Sequence, residues 1–278
     1  MKNDDNVIMG IKKPDNLVDE DTLHFDCRIC KDKYWREFDK LEDVIQGNGD
    51  ILENLNWKRV DGEFIEIITY KQRCDCYIER VAKERFDKRI LESGLSLLLE
   101  KNTFKTFITN ESWQKEMKQL CVGFVNEPKG LLALLGNTGA GKTHLGTATA
   151  GNLAHKGYDV RYLEWKKEMS IAKSNYYQVE EDKLREWQTV DVLYIDDLFK
   201  VQDNNVKSIP QLEFDNAWSI IDMRMKRNKI TIISSEFTLN EIYTVDPSLA
   251  GRINEYANGN MFNIAQDENK NYRMKGLI

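Results

Sequence analysis

The spacing of apolar residues changes its period several times along this chain, and each change marks an element. Leu131–Leu135 is an unbroken apolar run, as expected of a strand covered on both faces. Residues 142–156 then carry a helix pattern that stops at Gly157, and Val160–Trp165 returns to a strand-like composition. Lys166–Trp187 reads as helix in two pieces, and Val190–Ile195 as the next buried strand. Ile209–Arg227 is helical with Pro210 in its first turn, and Ile230–Ser235 is again a strand. Leu239–Tyr243 and Pro247–Ile253 are short helices, and Met261–Ile264 is a last strand. Strands alternating with helices predict an α/β fold, a parallel sheet flanked by helices. The region ahead of it differs: Phe64–Tyr70 alternates, and Tyr77–Glu92 is highly charged at helical spacing until Ser93-Gly94. Lys118–Phe124 is a helical apolar stretch that takes Cys121 as ordinary core. A boundary near residue 101 divides the chain into domains 1–101 and 102–278.

The end of the first long strand carries chemistry. Gly136-Asn137-Thr138-Gly139-Ala140-Gly141-Lys142-Thr143-His144 contains G-x-x-x-x-G-K-T between an apolar strand and a helix, the context a phosphate-binding loop requires. Its glycines let backbone N–H groups turn inward toward phosphate, and the following helix presents its positive end to the same anion. Lys142 is placed to neutralise the β- and γ-phosphates of ATP, and the Thr143 hydroxyl to ligate Mg²⁺. The second half of such a site falls at the C-terminal end of Val190–Ile195, where open α/β sheets bind ligands. There Asp196 suits a carboxylate that holds Mg²⁺, and Asp197 one that orients the attacking water. Ser235 and Glu236 end the strand expected beside it. Arg252, on the short helix after that strand, is either a surface ion-pair partner or a charge aimed at a neighbouring subunit's nucleotide.

Composition narrows the setting. The 278 residues include 41% hydrophobic ones, enough for a real core. The formal net charge of −6 argues against coating nucleic acid by bulk charge, though a local basic groove is compatible with it. Residues 1–101 carry the acidic excess, while the remainder is nearly balanced. No apolar run approaches the ~18 residues of a membrane span, and the first residues lack a signal-peptide core. A cytoplasmic protein without a membrane partner is expected.

Four of the five cysteines are clustered in the front region: Cys27-x-x-Cys30 and Cys74-x-Cys76. Two close pairs separated by a strand can bring four thiolates around Zn²⁺, a zinc-ribbon-like layout in a small α+β domain. A redox dithiol at Cys27 and Cys30 leaves the second pair unexplained, and buried, unligated cysteines are the remaining alternative. His24 is close enough in sequence to replace one thiolate.

The order of these motifs resembles one family. Ser93-Gly-Leu-Ser-Leu-Leu-Leu, Phe104, Phe107, the loop through His144-Leu145, Ile195-Asp-Asp-Leu198, Thr231-Ile-Ile-Ser-Ser235 and Ala250-Gly-Arg-Ile253 are similar to the DnaC/DnaI-type replicative helicase loaders, AAA+ ATPases of bacteria and their phages. The four cysteines resemble the DnaI branch, which carries a zinc domain ahead of the ATPase. The resemblance implies an ATP-dependent homo-oligomer that grips single-stranded DNA, with the front domain docked on the replicative DNA helicase. It assigns Phe104 and Phe107 to the adenine, and Lys166, Lys167 and Lys173 to the face turned toward DNA, and its Ala250-Gly-Arg-Ile253 motif contains Arg252, whose two readings, arginine finger in trans or surface ion pair, stay open. Two departures stand out. The family ends the Ile230 strand with an Asn that senses the γ-phosphate, where this chain has Glu236. A carboxylate there repels phosphate unless a cation intervenes or the side chain turns away, and Ser235 is the available substitute. Asp197 replaces the longer Glu of many AAA+ enzymes, so slow hydrolysis is expected. Two other readings share much of the pattern: an IstB-like transposition ATPase, and an adaptor that binds ATP as a switch without hydrolysing it.

Overall fold

A computed structural model of the protein describes residues 27, 33, 35–39, 42, 44, 51–174 and 179–274. The chain divides into two compact units, Met1–Lys83 and Glu84–Ile278. The division falls inside a helix, ahead of the boundary expected near residue 101.

The first unit holds a three-stranded antiparallel sheet in the order β1-β3-β2, formed by β1 (Trp35–Phe38), β2 (Ile51–Val60) and β3 (Glu63–Arg73). The expected strand Phe64–Tyr70 is thus the middle of a longer one, and its partner β2 was not expected. Asp61 and Gly62 join the two with φ of 52° and 94°. Positive φ at both central residues is what a two-residue hairpin turn demands, and Asp-Gly supplies it at low cost. Leu55, Trp57, Phe64 and Ile68 share one face of the hairpin by register and remain exposed. The charged helix follows as α1 (Asp75–Ser93), and Gly94 ends it at φ 80°.

The second unit is built on a five-stranded parallel sheet. Its strands are β4 (Leu131–Gly136), β5 (Val160–Glu164), β6 (Val192–Leu198), β7 (Ile230–Ser235) and β8 (Met261–Ile264), in the order β5-β6-β7-β4-β8. This is the P-loop AAA+ core, with β7 lying directly between β4 and β6. Alternate residues feed two cores. Leu131, Ala133, Leu135, Leu193 and Ile195 face one side, where they meet α5 (Trp165–Ser174), α6 (Glu181–Thr189), α7 (Gln211–Lys226), α8 (Leu239–Val245) and α9 (Pro247–Ala257). Leu132, Leu134, Tyr194 and Ile232 face the other, with the short helix α2 (Ser96–Leu99), α3 (Ser112–Asn126) and α4 (Lys142–His155). Cys121 is fully buried in this second core. Glycines let α4 lie close: a Cβ at Gly146 would sit 2.5 Å from the Tyr194 hydroxyl oxygen.

One charged side chain ties α7 to the sheet. Arg224 is wholly buried and donates to the carbonyls of Trp187 (2.6 Å), Val190 (3.0 Å), Asp191 (3.3 Å) and Ile230 (2.5 Å), and to Thr231 Oγ1 (2.9 Å). Burial pushes the guanidinium down to about 10, still far above neutrality. Arg224→Met removes every donor that this side chain offers the surrounding carbonyls, of which Asp191 O keeps a bond from the Ile230 N–H, so it should destabilise the fold by roughly 3 kcal/mol or more in chemical denaturation. Arg224→Lys should recover little of that loss, because an ammonium cannot reproduce the planar fork.

Candidate functional site

The loop between β4 and α4 sits at the C-terminal edge of the sheet. Gly136, Gly139 and Gly141 have φ of 95°, 75° and 87°. Side chains are excluded as well as unfavourable: a Cβ at Gly139 would lie 2.0 Å from Asn271 Oδ1, and one at Gly141 2.7 Å from Phe107. Lys142 folds back over the loop and donates to the carbonyls of Gly136 (2.6 Å) and Asn137 (2.8 Å). Its burial pushes the ammonium down to about 8, with Glu236 and Asp197 pulling the other way. A buried cation of this kind gains from an anion at close range, so the loop fits a polyphosphate.

Opposite Lys142 stand the carboxylates of β6. Asp196 is 4% exposed and receives hydrogen bonds from Thr143 Oγ1 (3.1 Å), Tyr162 OH (3.0 Å), Tyr194 OH (2.8 Å) and Ser234 Oγ. Burial and the adjacent Asp196 push both phenols up, so they remain donors. The Thr143–Asp196 contact joins the two residues that would share Mg²⁺, the hydroxyl directly and the carboxylate through water. Tyr162 and Tyr194 were not expected here: each lies in a strand that reads as core, with its polar tip reaching the strand end, whereas Ser234 belongs to the polar end of the Ile230 strand.

Asp197 lies within the bulge between Ile195 and Leu198 and has φ of 54°, an uncommon conformation for a residue with a side chain. Its N–H donates to Ser234 Oγ (3.0 Å). The following turn is anchored by Phe199, whose buried ring packs on Phe214 (4.5 Å between centroids) and edge-on to Trp165 (5.7 Å). Ser235 is buried, donates to the Leu198 carbonyl (2.7 Å) and accepts from the Phe237 N–H (3.2 Å). Its hydroxyl therefore fastens this turn to β7 and does not line the cleft that its expected phosphate-sensing role requires. Glu236 does turn toward the cleft.

Lys142, Thr143, Asp197 and Glu236 line a cleft of about 390 Å³, and Tyr272 and Arg273 close another side of it. The last described segment lies along the loop: Asp267 N–H donates to Asn137 Oδ1 (2.9 Å) and Tyr272 N–H to the Gly139 carbonyl (3.0 Å). A smaller recess of about 150 Å³ adjoins it, lined by Phe107, Ile108, Ala140 and His144 among others. His144 Nε2 lies 2.8 Å from the Thr103 carbonyl oxygen and 3.2 Å from Thr106 Oγ1, which holds the segment carrying Phe104 and Phe107 against α4. An apolar recess beside a phosphate loop suits a nucleobase.

Other expected residues lie elsewhere. Arg252 is absent from its own chain's cleft. It pairs with the buried Asp222 at 3.0 Å and lies 5.8 Å from the Trp218 ring. Lys173 pairs with Glu213 at 3.6 Å, while Lys166 and Lys167 are exposed on α5.

In the first unit, Cys27, Cys74 and Cys76 offer sulfurs all within 4.8 Å of one another, and Cys27 Sγ lies 3.8 Å from Cys74 Sγ. That separation is too long for a disulfide, whereas two sulfurs on a tetrahedral zinc stand about 3.8 Å apart. Arg36 pairs with Asp75 at 3.0 Å beside them. Cys30 and His24 lie outside the described residues.

A family model described as IstB-like ATP binding protein matches residues 65–253, more than half of the chain. The chain belongs to the IstB-like ATP-binding family. The family thereby supplies the ligand that the glycine loop and Lys142 suit. YqaM of Bacillus subtilis (strain 168) is 28% identical over 264 residues, covering 86% of this chain and 82% of its own. The phage-like element PBSX protein XkdC of the same organism is 28% identical over 252 residues, covering 87% and 83%. Among solved structures, DnaI is 23% identical with a TM-score of 0.47, covering 59% of this chain and 90% of its own. The DnaC helicase loader is 22% identical with a TM-score of 0.44, covering 57% and 90%. Among the described residues no helix is long and apolar enough to cross a membrane.

Two measurements follow from this site. Lys142→Ala should abolish ATP binding in calorimetry while leaving the melting profile of the protein without nucleotide largely intact, because the Lys142 ammonium donates to carbonyls of its own loop. Elemental analysis of the full chain should find about one Zn²⁺ per molecule, and Cys74→Ser should release it without weakening ATP binding.

Proposed function

We propose that this protein is an ATP-dependent loader of a replicative DNA helicase onto single-stranded DNA, hydrolysing ATP slowly. The observation that carries the reading is one cleft that brings Lys142 and Thr143 up against Asp196 and Asp197, within a chain whose motif order continues through Arg252 as in DnaC/DnaI-type loaders. Bound Mg²⁺ and ATP would supply the electrophilic phosphorus and the leaving group. Lys142 would hold the phosphates, and the loop N–H groups would orient them. Asp196, aimed by its four donors, would hold the metal's water shell. Asp197 would accept the proton of the attacking water. Its carboxylate sits on a short side chain at a fixed turn, which suits a switch better than a motor.

Arg252 would act on the nucleotide of a neighbouring subunit, leaving Asp222 to do so; Asp222 keeps Lys226 at 2.6 Å as a second partner. The exposed Leu55, Trp57 and Phe64 on one hairpin face form an apolar patch suited to docking the helicase.

The IstB-like transposition reading draws on the family description itself. The clustered cysteines favour the loader, since that reading has no place for a metal-bound front domain. A non-hydrolysing adaptor would bind ATP and show no turnover under any condition.

The deciding experiment is capture of the cognate replicative helicase by the full-length protein with ATP present. The loader reading expects a stable complex that Trp57→Asp weakens at least about tenfold without changing ATP affinity. No complex with the helicase, from protein that binds ATP, would refute it. A second test concerns assembly. Arg252→Ala and Lys142→Ala chains should each lack DNA-stimulated hydrolysis, and a mixture should regain part of it, because one keeps the loop and the other the arginine.

A further inference from the structure

The carboxylate at position 236 poses a physical difficulty. Glu236 is half-buried, faces the same cleft as Asp197 with Asp196 next to it, and occupies the position that the loader resemblance gives to the γ-phosphate sensor. Three carboxylates against a single Lys142 would make that end of the cleft strongly anionic, and at short range in a half-buried site such repulsion is costly. The structure contains the missing charge. Lys200 Nζ lies 2.7 Å from Asp197 Oδ2 and 3.3 Å from Glu236 Oε1, bridging the two side chains.

Nothing in the linear pattern around Lys200 marks it as part of a site. It reaches the two carboxylates that line the cleft because the backbone turns sharply after β6. Asp197 and Phe199 both take left-handed conformations, at φ 54° and 66°, and Lys200 N–H donates to the Asp197 carbonyl at 3.1 Å. The buried Phe199 ring and the Ser235–Leu198 bond hold this turn in place. Strained backbone is retained where the surroundings over-determine it, and here it sets one ammonium between two carboxylates. Burial works against the charge on Lys200, yet the bonds to Asp197 and Glu236 outweigh it and raise its pKa, so the ammonium stays charged.

We propose that Lys200 is a positioning and charge-balancing residue of the nucleotide site: by bridging Asp197 and Glu236 it offsets the carboxylate that replaces the expected amide, and so lets the cleft prefer a triphosphate over a diphosphate. The inference rests on the ATP-binding reading of the cleft. Its physical content is that the charge of Lys200 and that of Glu236 are functionally opposed. ADP lacks the group that meets this end of the cleft, so its affinity depends on Lys142 and the loop and much less on Lys200. The same bridge fixes the Asp197 carboxylate, which gives a second reason for slow turnover.

The test measures binding of ADP and of a non-hydrolysable ATP analogue, each with Mg²⁺, to the full-length protein by calorimetry. Lys200→Ala should reduce the preference for the ATP analogue over ADP by about tenfold, chiefly through the triphosphate. Adding Glu236→Gln to Lys200→Ala should restore most of that preference, since removing the negative charge substitutes for the lost positive one. A purely structural role for Lys200 predicts no such rescue. Glu236→Gln alone, with the bridge half intact, should bind the triphosphate at least as tightly as the wild type and serves as the folded reference. Equal weakening of both nucleotides by Lys200→Ala, or an unrescued loss in the double variant, would overturn the proposal while leaving nucleotide binding established. A wild-type protein that binds neither nucleotide would overturn the ATP-binding reading and this inference with it.

Discussion

The organisation of the second unit turns on how the Asp196 carboxylate is satisfied. A carboxylate this deeply buried is costly unless surrounding groups take over the role of water. Here the replacements come from four elements: Tyr162 from β5, Tyr194 from β6, Ser234 from β7 and Thr143 from α4. One side chain thus draws three adjacent strands and the first turn of the loop helix to a common point. The geometry in which Lys142 faces Asp196 and Asp197 follows from this convergence. The loop glycines then set how closely phosphate can approach, and Lys142 rests on the loop's own carbonyls.

Much of the sheet was legible because a buried parallel strand needs a continuous apolar run. Leu131–Leu135 and Val192–Ile195 display one, and helices of the expected period separate them. The loop was legible because its chemistry demands particular residues at fixed spacing. Less visible were polar groups whose roles exist only in three dimensions. Tyr162 and Tyr194 look like core aromatics in a strand, and their hydroxyls matter only because β5 and β6 pair in a register that brings both to Asp196. Arg224 looks like a charge near the end of an exposed helix face, yet it is wholly buried. Lys200 could not be read at all, since its position depends on a bulge and two left-handed residues. Ser235 was in the right strand, but its hydroxyl is consumed by the neighbouring turn.

The front unit shows the opposite balance. Its cysteine pattern pointed to a shared site, and three of the sulfurs do converge. Its sheet was only half anticipated, although the signal was present. Asp61-Gly62 lies between two runs of β-forming residues, and both take the positive φ that such a pair permits. Ile51–Val60 was overlooked because Glu53, Asn54, Asn56, Lys58 and Arg59 interrupt its apolar residues. Those residues suit a strand whose faces remain largely in solvent, which is where the structure leaves them.

Gly146 and Tyr194 have a consequence for how this sequence can drift. The phenol that supports Asp196 occupies the space that a methyl group on Gly146 would need, with 2.5 Å between the would-be carbon and the hydroxyl oxygen. The two positions therefore form a single heritable unit. A larger residue in the helix is admissible only after the tyrosine has given way to a smaller side chain, since its ring carbons Cζ and Cε2 would also lie 2.6 and 2.8 Å from the added carbon, and that first step already weakens the support of the carboxylate. Any lineage leaving this pair must cross a less fit intermediate, so the pair acts as a ratchet that keeps a glycine in the middle of a helix where helix propensity alone would have replaced it.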